Sequence, residues 1–68
     1  MDKFIEFNDC VFNTRHIIAL ETCKRNNAPK YGISMYATGD VERYQWFNEE
    51  YVRDSVFYQL SRKLLNDF

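Results

Sequence analysis

Apolar and polar residues alternate over much of residues 3–47, the pattern of β-strands with one buried face. In the first such segment Ile5 and Phe7 fall on one face and Phe4 on the other. Asn8-Asp9 follows as a turn signal, before a short apolar run resumes. The beginning of the chain therefore predicts a strand, a turn at Asn8-Asp9 and a second short strand over residues 10–12 that continues the sheet.

The middle of the chain predicts three further strands. Residues 15–22 contain a continuous β-branched and apolar run, which favours a central strand buried on both faces. Residues 31–37 and 41–47 alternate again, and three turn residues separate them. In that turn Gly39 supplies the positive φ that a tight hairpin loop needs. These segments extend an antiparallel sheet.

The pattern changes to a helical period near residue 48. Asn48 is a good N-cap, and apolar residues then recur every four residues as one stripe, extended by two phenylalanines: Val52, Val56, Leu60, Leu64, Phe57 and Phe68. We predict an α+β fold in a single domain, residues 1–68. A four- to five-stranded antiparallel sheet, with strands within residues 3–47, is packed by one C-terminal helix over about residues 49–67.

A second apolar line runs along the predicted helix. Tyr51, Tyr58 and Leu65 repeat every seven residues and fall on a different side from Val52 and Val56. One sheet cannot cover both sides of one helix. Two interpretations stay open: these residues are partly exposed at the sheet margin, or they contact another protein molecule.

The aromatic content favours a contact surface. One Trp, five Tyr and six Phe make twelve aromatic residues among 68, and a domain this small has too little interior to bury them all. Small domains also gain stability from oligomerisation. We therefore predict a non-enzymatic protein-interaction module that forms a homodimer or contacts another protein, with these contact residues: Tyr36, Tyr44, Trp46, Tyr51, Tyr58 and Leu65.

Charge and cysteine content limit the kinds of ligand and the cellular compartment that the sequence fits. The net charge is −1, without the basic footprint of a typical nucleic-acid binder. Two cysteines are too few for a disulfide scaffold, and we expect reduced thiols in a cytoplasmic protein. We identify neither a signal peptide nor an apolar run long enough to span a membrane, so we expect no membrane association.

Candidate catalytic groups do not form a recognisable motif. Cys10, His16 and Cys23 lack the close spacing of zinc ligands, and a Cys–His nucleophile pair would need a proximity that sequence does not show. Three strand glutamates are further candidates for acid–base chemistry: Glu6, Glu21 and Glu42. With only Gly32 and Gly39, no glycine-rich phosphate loop is present. We predict no enzymatic activity, no cofactor and no metal.

A local basic cluster supports the alternative function. Lys24, Arg25 and Lys30 surround the longest polar break of the chain, and Tyr31 follows directly. Basic groups beside an aromatic ring can hold a phosphate backbone and stack a base. The alternative prediction is thus a small nucleic-acid or nucleotide-binding protein. The simpler interpretation is a solvated loop.

The layout resembles that of short phage and prophage proteins with a small antiparallel meander and one C-terminal helix. The resemblance rests on residues 12–21, on Tyr31-Gly32-Ile33, on the turn at residues 38–40, and on Phe47-Asn48-Glu49-Glu50 before the helix that ends in Leu64-Leu65. It implies an accessory protein that binds and blocks a host protein. Inhibitors of bacterial defence systems, anti-CRISPR proteins among them, are similar in size.

Overall fold

The computed structural model of the chain describes residues 3–65, and within them the predicted α+β fold is confirmed. Five antiparallel strands form two sheets rather than one, and a single helix follows. A short 3₁₀ turn, Thr14–His16, separates the two sheets along the chain. The elements are β1 (Phe4–Phe7), β2 (Cys10–Asn13), β3 (Ile17–Lys24), β4 (Tyr31–Ala37), β5 (Val41–Phe47) and α1 (Glu50–Leu65).

The first sheet is a hairpin of β1 and β2, separate from the sheet that the sequence predicted them to join. Asn8 and Asp9 connect the strands with φ angles of 49° and 64°, as the two central residues of a type I′ turn require. The alternation correctly places Ile5 and Phe7 on the face opposite Phe4, and the structure shows that their face is the buried one. The Asn8 side-chain amide donates to the Tyr44 carbonyl at 2.8 Å, which ties this turn to β5.

The second sheet has the order β3-β4-β5, so the prediction of a central strand over residues 15–22 was wrong. β3 is an edge strand with only partial burial, and β4 is central and mostly buried on both faces. β4 can be buried on both faces because Gly32 has no side chain and Ser34 has a small one. Neighbouring rings therefore lie over the second face of β4. Within the apolar run of β3, Ile17 and Leu20 pack against the core, whereas Ile18 is exposed.

The core lies between the two sheets and the helix. Its buried residues come from β1, β4 and α1, and larger half-buried side chains close its margins. The helix packs against β4 and β5. The central cluster consists of Ile5, Phe7, Ile33, Met35 and Leu60.

The helix begins one residue later than predicted. Its first backbone hydrogen bond runs from the Arg53 N–H to the Glu49 carbonyl at 3.1 Å, which places Glu49 rather than Asn48 at the capping position. Of the predicted apolar stripe, Leu60 is buried, Val56, Phe57 and Leu64 are half-buried, and Val52 is exposed. Phe68 and the last two residues of the predicted helix lie outside the described residues.

Arg53 is the polar anchor between helix and sheet. Its guanidinium donates from Nη1 to the carbonyls of Cys23 at 2.9 Å and Gly32 at 3.3 Å, although the residue is only 8% exposed. Asp54, at 2.7 Å, and Glu50, at 3.5 Å, supply the compensating negative charge from the exposed side. A buried cation with these partners sets the position of the helix on the β3–β4 pair.

Candidate interaction surfaces

Tyr51, Tyr58 and Leu65, hereafter the tyrosine line, form an apolar strip on the outer face of α1. They are 73%, 61% and 67% exposed. Leu60 lies nine positions after Tyr51, about two and a half turns, and is buried on the opposite side. The structure therefore places the tyrosine line at the centre of the outer face and not at the sheet margin.

Polar residues border the tyrosine line in a symmetric arrangement. Asp54 lies four positions before Tyr58 and Arg62 four positions after it. The Arg62 guanidinium lies over the Tyr58 ring at 5.7 Å from its centroid. Ser55 and Ser61 lie three positions before and after Tyr58. The strip thus presents a tyrosine centre, a negative group towards one end and a positive group towards the other.

Tyr36, Tyr44 and Trp46, hereafter the aromatic face, lie on the side of the second sheet that faces away from the core. The pairing of Gly32 with Trp46 and of Ser34 with Tyr44 puts these rings on one face. Tyr36 joins them by the alternation of β4. The structure therefore brings together the three sheet residues that the sequence marked as contacts.

The aromatic face is largely covered by its own side chains. A Cβ on Gly32 would lie 2.6 Å from Trp46 Cζ3 and 2.9 Å from Cys23 Sγ, so the indole occupies the space that glycine leaves. The Arg25 guanidinium lies 3.9 Å from the centroid of the Trp46 ring. The Tyr44 ring is stacked on Trp46, with centroids 6.0 Å apart. Tyr36 and Trp46 are half-buried, and Tyr44 is the exposed member.

Tyr44 has an acidic neighbour on the same strand. Its phenol donates a hydrogen bond to the Glu42 carboxylate. This bond raises the pKa of Tyr44 well above its ordinary value, because the phenolate would lose the bond and meet a like charge. Desolvation and the nearby Tyr36 hydroxyl raise the pKa further. The phenol is therefore a neutral donor at physiological pH.

The basic cluster is divided between two aromatic rings. The Lys24 ammonium lies 5.5 Å from the centroid of Tyr31, whereas Arg25 covers Trp46. Arg25 also donates from Nε to the Pro29 carbonyl at 2.8 Å, which holds it in place. Together with Asn26, the three basic residues line an open cavity of ≈ 250 Å³.

The structure also places the candidate catalytic and metal-ligating residues. His16 Nδ1 is 3.2 Å from the Thr38 hydroxyl, and no group of three or more His, Cys, Asp or Glu that could hold a metal occurs within residues 3–65. Cys10 is exposed, and Cys23 is half-buried opposite Gly32 in the β3–β4 pair. The glutamates considered for acid–base chemistry, Glu6, Glu21 and Glu42, are all exposed.

Two apolar features escaped the sequence analysis. A register shift between Ile17 and Ala19 leaves Ile18 unpaired and exposed on β3. Phe4 and Val11 are exposed on the outer face of the first hairpin. The alternation had placed Phe4 on the face opposite Ile5 and Phe7, but it made no prediction for Val11. A β-bulge has no sequence signal of its own here.

Comparisons with family models, curated proteins and solved structures return no match to this chain. Across the part of the chain that the structure describes, no helix combines the length and the apolar character needed to cross a membrane.

Proposed function

We propose that this chain functions by binding other protein molecules, as a small non-enzymatic interaction module. The observation that supports this most is the tyrosine line: three large apolar side chains, each more than 60% exposed, occupy the centre of a helix face that no residue within 3–65 covers. Exposed tyrosines in a continuous strip are typical of interfaces, because their rings supply contact area and their hydroxyls hydrogen bonds.

The aromatic face supplies a second, smaller contact region. Tyr44 is its exposed ring, and the neighbouring Glu42 carboxylate and half-buried Tyr36 surround it with polar groups. An exposed aromatic residue with a polar border is the usual composition of a protein-binding surface. The biological role that fits the resemblance to phage proteins is inhibition or regulation of a host protein, such as a component of a bacterial defence system.

The test is capture from a bacterial lysate with the immobilised full-length chain. A triple variant, Tyr44→Ser with Tyr51→Ser and Leu65→Ser, removes the exposed ring of the aromatic face and both ends of the tyrosine line without touching the core. We expect the amount of each captured protein to fall by about a hundredfold or more with the variant, because truncating each of three interface anchors costs more than about 1 kcal/mol. Gln59→Ser, on an exposed helix position beside the line, is the control.

Quantitative mass spectrometry of the captured proteins decides the result. Proteins that bind the wild type and the control but not the triple variant support the proposal. Identical captured sets for all three chains would contradict it.

Single-stranded nucleic acid is the second candidate ligand. In its favour, Lys24, Arg25 and Lys30 line one open cavity beside Trp46. Against it, two of these cations already lie over Tyr31 and Trp46, the ring faces on which bases would stack. Anisotropy of a labelled oligonucleotide would favour this candidate if binding weakens steeply with added salt.

A further inference from the structure

The tyrosine line has a symmetry that suits a copy of itself. Its apolar ends, Tyr51 and Leu65, lie seven residues before and after Tyr58. Its charged borders, Asp54 and Arg62, lie four residues before and after the same tyrosine, with opposite signs. A two-fold interface needs one surface patch that is complementary to itself, and this pattern provides it.

We propose that the tyrosine line binds a second copy of this chain, as an antiparallel pair of helices with Tyr58 at the two-fold axis. The proposal rests on the function proposed above, since it names one protein that the module binds. In this pair, a residue that lies a given number of positions before Tyr58 is at the level of the residue that lies the same number of positions after Tyr58 on the second copy. Tyr58 then packs on Tyr58, and Tyr51 on Leu65 of the second copy.

The charges select this orientation. In the antiparallel pair Asp54 lies at the same level of the contact as Arg62 of the second copy, about 6 Å along the helix axis from Tyr58. Two opposite-charge pairs form, one on each side of the axis. A parallel pair would instead place Asp54 near Asp54 and Arg62 near Arg62, which is repulsive.

The side chains are already in place for these contacts. Arg62 lies over the Tyr58 ring, next to the proposed axis. Asp54 contacts the buried Arg53 through Oδ1 at 2.7 Å, while its side chain remains 60% exposed. Ser55 and Ser61 are small enough to let the helices approach between the tyrosine layers. No rearrangement of the fold is required.

The expected affinity is modest. A contact along one helix of 16 residues is smaller than a standard interface, so we expect a micromolar dissociation constant. Because the dimer leaves the aromatic face uncovered, Tyr44 stays accessible to a host protein in this arrangement.

Sedimentation equilibrium of the full-length chain tests the pairing. We expect the wild type to approach twice the monomer mass of 8.3 kDa at high micromolar concentration. Tyr58→Asp, which brings two carboxylates together at the axis, should remain monomeric. Gln59→Asp adds the same charge at an exposed position beside the line and should still dimerise. A monomeric wild type, or a Tyr58→Asp variant that dimerises like the wild type, overturns the proposal.

Charge reversal provides an independent test. Asp54→Arg alone and Arg62→Asp alone should each weaken self-association about tenfold, because each creates like-charge pairs. An equimolar mixture of the two variants should recover the wild-type affinity, since every pair across the interface then has opposite signs. Failure of the mixture to associate more tightly than either variant counts against the proposed face.

Cysteine cross-linking tests the orientation. In a background of Cys10→Ser and Cys23→Ser, chains with Tyr51→Cys should form disulfides with chains carrying Leu65→Cys. Disulfides only between identical variants would indicate a parallel pair and overturn the antiparallel arrangement. If the chain is a monomer that still captures host proteins through Tyr44, the dimer proposal alone is overturned. If the chain dimerises but captures no host protein, binding to a host protein is contradicted.

Discussion

Gly32 shows how the absence of one side chain organises a whole sheet face. Trp46 lies directly opposite Gly32 in the β4–β5 pair and fills the space above it. Arg25 then covers the outer side of the indole at 3.9 Å. The backbone of β4, the indole and the guanidinium form three successive layers, and Tyr44 is stacked beside them. The half-burial of Trp46 follows from a residue that contributes no side chain.

We expect Gly32→Ala to destabilise the fold by about 1–3 kcal/mol, because the added methyl overlaps Trp46 and the Cys23 sulfur. Urea denaturation followed by tryptophan fluorescence measures the change. Gly39→Asn is the matched control: the φ of Gly39 is +82° with open space around it, and asparagine tolerates that conformation. An alanine at position 32 that costs no more than the control would show that Trp46 has room to move.

At the scale of elements, the helix is held by one buried cation as well as by its apolar stripe. The stripe is thin, since only Leu60 among its apolar residues is fully buried. Arg53 adds two hydrogen bonds to carbonyls at the β3–β4 junction and lies 5.8 Å from the centroid of the Tyr31 ring. The sequence analysis missed this anchor, because an arginine on a helix is usually solvated.

Removing the Arg53 guanidinium should cost about 2–3 kcal/mol of unfolding free energy, because two carbonyls lose their charged donor. Arg53→Met tests this with most of the side-chain volume kept, and chemical denaturation monitored by circular dichroism gives the free energy. Lys63→Met is the control at an exposed position of the same helix and should change stability by less than about 0.5 kcal/mol. Equal effects from both substitutions would contradict the anchoring role.

At the scale of the whole molecule, the core is what joins the two sheets. Phe7 is 1% exposed and belongs to the same cluster as Ile33, Met35 and Leu60. The first hairpin has only two short strands, too few to be stable by itself. We therefore expect the hairpin, the second sheet and the helix to fold together as one cooperative unit.

Phe7→Ala should cost about 3–5 kcal/mol, close to the total stability expected for a domain of this size. We expect a largely unfolded variant by circular dichroism at 25 °C. Phe4→Ala, on the exposed face of the same strand, should stay folded with nearly unchanged stability. A Phe7 variant that loses only the hairpin and keeps the helix would show that the two sheets fold separately.

Much of this protein followed from its sequence. The period-two segments predicted the strands and the shared face of Ile5 and Phe7, while Gly39 and Asn8-Asp9 predicted the turns. The seven-residue repeat of Tyr51, Tyr58 and Leu65 predicted a second apolar side of the helix. These features are local, because backbone geometry and side-chain periodicity act over a few residues.

Tertiary structure decided how the segments are arranged. It divided the strands into two sheets, made β4 rather than β3 the central strand, and exposed Ile18 through a register shift. It also folded Arg25 over Trp46 and turned Arg53 inwards. Each of these outcomes depends on which distant residues fill the same space, and the spacing of residues along a chain does not contain that information.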